Sequence, residues 1–212
     1  MRGFMRSLRT QAWRTAGARY SAARRLRRRE LFATVSLALF SALSIAVAFV
    51  QRIYAEQQGP AWDNYLTAVS VALGVFLLAI SLMEWGARNG AQADALHRNA
   101  EALTAFQLKV AQRLSELDAG TPIAWPDVEA LRIEYEDIKR ECQYNHEPLD
   151  ELQFRASKRL APEFAGPDGK PEISKARAAQ VWVLWFFASV WYFALFWVAI
   201  IGSILVSFWL PR

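Results

Sequence analysis

"LFATVSLALFSALSIAVAFV" (Leu31–Val50) and "YLTAVSVALGVFLLAISLM" (Tyr65–Met83) decide the fold between them. The first runs twenty residues and the second nineteen without a charged side chain. At about 1.5 Å of rise per residue, about 18 apolar residues suffice to cross the hydrocarbon core of a bilayer. Only the fourteen residues Gln51–Asn64 separate the two runs. They predict a hairpin of membrane-spanning helices over 31–53 and 65–85, joined by a short loop over 54–64.

A third run, over 181–210, is uncharged for thirty residues and predicts a third span. It is longer than a perpendicular crossing needs, so it tilts or projects at one end. Trp182 and Trp185 near its start and Trp209 near its end suit anchoring at headgroup level. Its central aromatics (Trp191, Tyr192, Phe193, Phe196, Trp197) read as bulky lipid-facing packing.

Charge sets the expected orientation. Residues 1–30 carry ten arginines against the single acid Glu30, whereas the loop holds Arg52, Glu56 and Asp63. Lys and Arg collect on cytoplasmic flanks. The N-terminus and residues 86–178 are therefore expected in the cytoplasm, with the loop and the C-terminus outside a bacterial inner membrane. The net charge of +5 conceals a basic arm ahead of a mildly acidic middle. Within that arm Leu8, Trp13, Tyr20 and Leu26 interleave with arginine, making residues 1–30 a basic amphipathic helix. Beside a span, such a helix reads as lying on anionic headgroups rather than on nucleic acid, and no direct nucleic-acid binding is expected. "RRRELF" (Arg27–Phe32) followed by Ala46-Val47-Ala48 loosely resembles a twin-arginine export signal. The preceding arm and the twenty-residue apolar run are both too long for one, so the segment is expected to stay.

Between the second and third spans, Leu96, Leu103, Val110 and Leu117 recur every seven residues and are joined by Phe106 and Leu114. This is one amphipathic helix. "DAGTPIAWP" (Asp118–Pro126) breaks it, and Val128, Leu131, Tyr135, Ile138 and Cys142 form a second stripe. The two stripes predict an antiparallel helical hairpin over 86–160. "QYNHEP" (Gln143–Pro148) ends the second helix, with Asn145 expected as its cap and Pro148 opening a short helix to about Leu160. A Pro/Gly-rich linker is expected over 161–178. The fold class is thus an all-α membrane protein: a transmembrane helical hairpin, its cytoplasmic helical extension and a C-terminal third transmembrane helix.

Catalytic signatures are missing. The chain holds no G-x-S-x-G, no Walker-type glycine loop and no H-E-x-x-H. Cys142 and His146 stand four residues apart beside Glu141 and Asp150, but a metal site needs a third ligand and a catalytic pair needs an orienting group. Packing explains them more simply. No enzyme activity, no metal and no cofactor are expected. The spans carry no ionisable residue, which argues against ion- or proton-coupled transport. They do carry stripes of small and hydroxyl residues: Thr34, Ser41, Ser44 and Ala48 on the first, Thr67, Ser70, Gly74 and Ser81 on the second. Such stripes serve close helix packing, or line a pore when several copies assemble. For a ligand, Arg140, Tyr144, His146 and Arg155 near the turn, and Trp125 at the other tip, offer stacking and phosphate contacts; the plain alternative is a solvated helix face.

The whole arrangement resembles the SLATT family, the SMODS and SLOG-associating two-transmembrane effector domains of prokaryotic conflict systems. "YSAARRLRRRELF" (Tyr20–Phe32) leads into the hairpin, and "YEDIKRECQYNHEPLDELQF" (Tyr135–Phe154) follows it. Tyr135, Asn145, His146, Asp150 and Phe154 match the family's recurring pattern, and the third span departs from the minimal two-span plan. The resemblance implies an antiphage membrane effector that forms pores and causes cell death or growth arrest. It also implies a homo-oligomer in the lipid bilayer. The signal would be a cyclic or other nucleotide second messenger, and the partner a nucleotide-generating enzyme or a reverse transcriptase. The alternative is a non-pore adaptor that anchors or regulates a partner through its cytoplasmic hairpin.

Overall fold

In the computed structural model, helix α1 runs without a break from Arg2 to Gln58 and includes both the arginine arm and the first apolar run. No proline falls in this range and its only glycines are Gly3 and Gly17, so nothing local interrupts the helix. The structure describes residues 1–207, and the side chains of all of them except 54–58, 204, 206 and 207. Where a loop over 54–64 is expected, the turn shrinks to Gly59, at φ 88°, with Pro60 opening α2 (Pro60–Ala87). A proline at the first helical position is pre-set for the helix, and glycine takes the positive φ without strain. Arg88, in the left-handed region at φ 48°, closes α2. Helices α3 (Asn89–Asp118), α4 (Trp125–Glu141), α5 (Pro148–Ser157) and α6 (Lys175–Ser207) follow. Among the described residues there is no strand, and three helices are long and apolar enough to cross a membrane. The protein is an all-α membrane protein.

The chain divides into two units. One takes residues 1–27 and 90–188, the other residues 28–89 and the chain from Ser189 onward.

In the first unit the stripes of α3 and α4 do meet, but a third helix joins them. Met5, Leu8, Ala12 and Ala16 of α1 pack with Leu103, Phe106, Val110 and Leu114 of α3 and with Val128, Leu131 and Tyr135 of α4. The apolar face of the arm is therefore covered by protein rather than left for headgroups. Farther along α1, Ala22, Ala23 and Leu26 pack on Ala93 and Leu96, with Cys142 and Tyr144 against them. Cys142 sits on an apolar seam as its spacing predicts, yet α4 has already ended at Glu141 and Cys142 is its cap. Asn145 is thus not the cap; its side chain accepts the His146 backbone N–H at 3.0 Å. The expected linker is tied down as well. A 3-10 turn, Pro162–Phe164, buries Phe164, and the Gly166 N–H donates to the Lys170 carbonyl at 2.8 Å.

The second unit is held by a seam along each of its helices. Ala33, Ser36 and Phe40 of α1, Leu66, Leu73 and Ile80 of α2, and Tyr192, Phe193 and Ile200 of α6 are buried. The Phe40 ring lies 4.7 Å from Trp197 and 6.5 Å from Phe76, and Trp197 Nε1 donates to Ser36 Oγ at 3.2 Å. The α6 aromatics therefore do not simply face lipid: Tyr192, Phe193 and Trp197 turn inward, because a seam of large rings fills the space between three helices. Trp191 alone of the central group is well exposed among large side chains, at 58%. Trp185 is no headgroup anchor either, being 3% exposed within the first unit. Trp209 lies outside the described residues, as does the expected end of the third span at 210.

Candidate functional site

The polar centre of the first unit is Asp150. It stands at the third position of α5, where its Oδ2 accepts the Glu147 backbone N–H at 3.1 Å and closes a capping arrangement. A carboxylate here also faces the positive end of the helix dipole. The same carboxylate accepts both arms of Arg25, Nε to Oδ1 at 2.9 Å and Nη2 to Oδ2 at 3.0 Å, and the Trp185 indole N–H at 2.9 Å. The Asp150 side chain is fully buried and that of Arg25 is 8% exposed. Burial pulls the Arg25 guanidinium down, but the hydrogen-bonded Asp150 and the nearby Glu147, at 3.0 Å, outweigh it and hold it above the ordinary arginine range. Bidentate geometry and a full set of partners are what make a buried ion pair tolerable. Asp150 thereby clasps α1, α5 and the start of α6 together.

One turn farther along α5, Phe154 closes on α1 where the helix has no side chain. A Cβ on Gly17 would stand 2.2–2.4 Å from the Phe154 ring atoms, so glycine is required there for close approach. Trp13 meets the same ring edge-on at 4.9 Å and stacks on Phe164 at 5.2 Å.

Beside the clasp lies an open hollow of about 230 Å³, lined by Gln11, Arg14, Thr15, Tyr135, His146 and Glu151. Arg14 donates to Glu151 at 2.7 Å, and the Thr15 and Tyr135 hydroxyls lie 3.2 Å apart. His146 is half-buried, and its Nδ1 is shielded from solvent without a hydrogen-bond partner. Burial, and then the nearby Arg19, push the imidazole below its ordinary pKa, so it is neutral at neutral pH. Arg19 is itself 4% exposed; it donates to Asn99 Oδ1 and, at 3.5 Å, to the Lys139 carbonyl. Asn99 in turn donates to the Ile138 carbonyl. The pair thus caps the C-terminal end of α4, whose dipole favours a cation. Burial lowers the Arg19 pKa.

The residues singled out from sequence scatter over this unit. Tyr135 and His146 face the hollow; Asp150 makes the clasp and Phe154 the glycine contact, while Asn145 is exposed. Arg140 pairs with Asp137 at 3.2 Å and lines a different surface hollow with Arg98 and Asn99. Arg155 pairs with Glu172 at 2.5 Å, and Tyr144 packs on the Ala22–Leu26 patch. Trp125, 62% exposed, opens α4. Only His146 of the proposed ligand set reaches the hollow. Cys142 and His146 do not form a pair: one turns to the apolar patch and the other to the hollow.

Sequence reasoning missed Arg14, Gly17, Arg25, Glu151 and Trp185. Ten arginines in one arm look alike, and no local pattern marks two of them. A signal for close packing was present in the small residues Ala12, Ala16, Gly17, Ala18, Ala22 and Ala23, which a lipid-surface helix does not need.

In the second unit the stripes are uncovered only in part, the Ser44 and Ser70 hydroxyl oxygens being shielded. Thr34, Ser41, Thr67, Gly74 and Ser81 are exposed, and Ser44 and Ser70 are half-buried. Thr34 and Ser41 donate back to the carbonyls of Glu30 and Leu37 at 3.0 and 2.8 Å, and Thr67 accepts Gln51 Nε2 at 3.0 Å. The α2 seam of Leu66, Leu73 and Ile80 runs one residue behind Thr67, Gly74 and Ser81, so the two stripes lie about 100° apart on the helix.

The family model described as SMODS and SLOG-associating 2TM effector domain family 5 matches residues 1–209, both units and the third span included. No curated protein and no solved structure matches the chain.

Proposed function

The chain belongs to SMODS and SLOG-associating 2TM effector domain family 5 and is a membrane effector domain of the conflict-system type, and from that premise we propose that it acts by permeabilising the membrane. Several copies assemble with the stripes of Thr34 and Ser41 on α1 and of Thr67, Gly74 and Ser81 on α2 turned toward a shared lumen. The observation that carries this reading is the exposure of those stripes beside seams that are already filled. Small and hydroxyl residues on a lipid-facing surface favour close approach of another helix. The effector works without a reaction of its own.

The membrane is the bacterial inner membrane, with the first unit in the cytoplasm, as the ten arginines of residues 1–30 favour. The signal is nucleotide-derived and supplied by a partner enzyme. It reaches the first unit and passes along α1 and α6, which both continue from the Asp150 clasp into the second unit. The outcome is death or growth arrest of an infected cell.

Dye release from liposomes containing the purified chain tests this. Ser41→Leu and Gly74→Leu, both at exposed positions and the latter with nothing within 4 Å of its added Cβ, are expected to abolish release while leaving insertion intact. Release that survives both substitutions contradicts the lumen. Membrane insertion with no release from the unchanged protein under activating conditions favours an adaptor.

A further inference from the structure

The hollow between α1, α4 and α5 has a lining of uneven chemistry. Arg14, Gln11 and the His146 ring offer N–H groups, while the Thr15 hydroxyl donates to the Gln11 carbonyl at 2.9 Å and accepts from Tyr135 at 3.2 Å. Against these stands a single carboxylate, Glu151, already engaged by Arg14 at 2.7 Å. His146 Nδ1 is shielded and has no hydrogen-bond partner. One turn along α1 from Thr15 and outside the lining, Arg19 is buried close enough to act on His146, and no carboxylate pairs with it among the described residues. A donor-rich recess with a buried cation nearby wants an acceptor-rich, negatively charged occupant.

We propose that this hollow binds a small phosphate-bearing ligand, whose oxyanion accepts from Arg14 and His146 and takes Arg14 away from Glu151. At about 230 Å³ the recess is below the range of drug-sized pockets, which suits a monophosphate and part of its ester. A lipid headgroup is the other source of phosphate. Freed from Arg14, Glu151 loosens α5 from α1 at the residue next to Asp150, which holds Arg25 and Trp185. This deepens the reading that a signal reaches the first unit, but binding is measured without reference to permeability, so the two stand or fall separately.

The experiment titrates the full chain, in detergent micelles free of phospholipid, with inorganic phosphate, adenosine monophosphate and adenosine at constant ionic strength. Intrinsic tryptophan fluorescence and the unfolding midpoint are followed. Saturable responses to the two phosphate probes and none to adenosine are expected. Phosphatidylglycerol, added to the same micelles as a fourth probe, distinguishes the two sources of phosphate. Arg14→Gln and His146→Ala should each weaken binding about tenfold, the scale of one hydrogen bond to a charged group. Glu151→Gln should tighten it, because it removes the competitor for Arg14; a merely structural pair would not respond so. Arg24→Gln, at an exposed arm position outside the lining, should change nothing. The proposal is overturned if neither phosphate probe gives a saturable response. It is equally overturned if Arg24→Gln costs as much as Arg14→Gln, if Glu151→Gln weakens binding, or if phosphatidylglycerol binds and phosphate does not.

Discussion

The two halves of α1 invert the usual relation between charge and burial. Its first half holds ten arginines, yet Met5, Ala12, Ala18 and Ala22 are sealed at 0% exposure and Arg19 and Arg25 lie inside. Its second half is almost purely apolar, yet Ile45 is 65% and Phe49 67% exposed. The difference is solvent. Water around the first half drives apolar side chains inward and forces any buried cation to find partners. Lipid around the second half removes that drive, so its helices need only a narrow seam and leave the rest of their surface to acyl chains.

This comparison is most severely tested at the clasp. Asp150→Ala leaves the buried Arg25 guanidinium with only the exposed Glu147 carboxylate for a partner. A loss of about 3–5 kcal/mol is expected, read as denaturant unfolding of the first unit in detergent. Loss under 1 kcal/mol would mean that water reaches this core. Next comes Gly17→Ala, which forces Phe154 from its seat on α1; overpacking of this kind costs about 1–3 kcal/mol, and Phe154→Leu in the same chain should recover part of it. In the lipid-facing unit the contact to compare is the Trp197–Ser36 hydrogen bond, a neutral one. Ser36→Ala removes the acceptor of Trp197 Nε1 and should cost only about 0.6 kcal/mol, the average for such bonds between membrane helices. A cost equal to that at Asp150 would erase the distinction between the halves.

The smallest effect expected is acid sensitivity at His146. Its folded pKa is held below the ordinary value by burial and by Arg19. The unfolded chain thus binds the proton more readily, and stability falls as pH drops below about 6.5. His146→Gln should flatten that part of the pH–stability curve and leave neutral pH unchanged.

Much of the fold was legible because its strongest signals are runs and periods. Uncharged stretches long enough to span a bilayer, and the heptad spacing of Leu96, Leu103 and Val110, each depend on one local rule. The surroundings of the arm were not legible in the same way. Whether Leu8 and Leu26 face headgroups or α3 depends on partners far away in sequence, such as Leu103 and Leu96, and their pattern is the same in either case. Trp185 misled for a related reason. Tryptophan beside an apolar run suits a membrane interface, but here its N–H answers a buried carboxylate that only the tertiary fold brings near. Of the candidate site, His146 and Tyr135 were visible as parts of a motif. Arg14 and Glu151 were ordinary surface charges until the fold put them 2.7 Å apart.

The composite make-up of the first unit bears on how the protein is born. Its core is assembled from residues 1–27 and 90–188, with two spans intervening. When the arm leaves the ribosome its packing partners do not yet exist, and the clasp stays open until Trp185 has been translated. Insertion of the first hairpin precedes completion of this core. A chain that ends before α5 would carry both spans of the hairpin but only part of the core that its own first residues help to build.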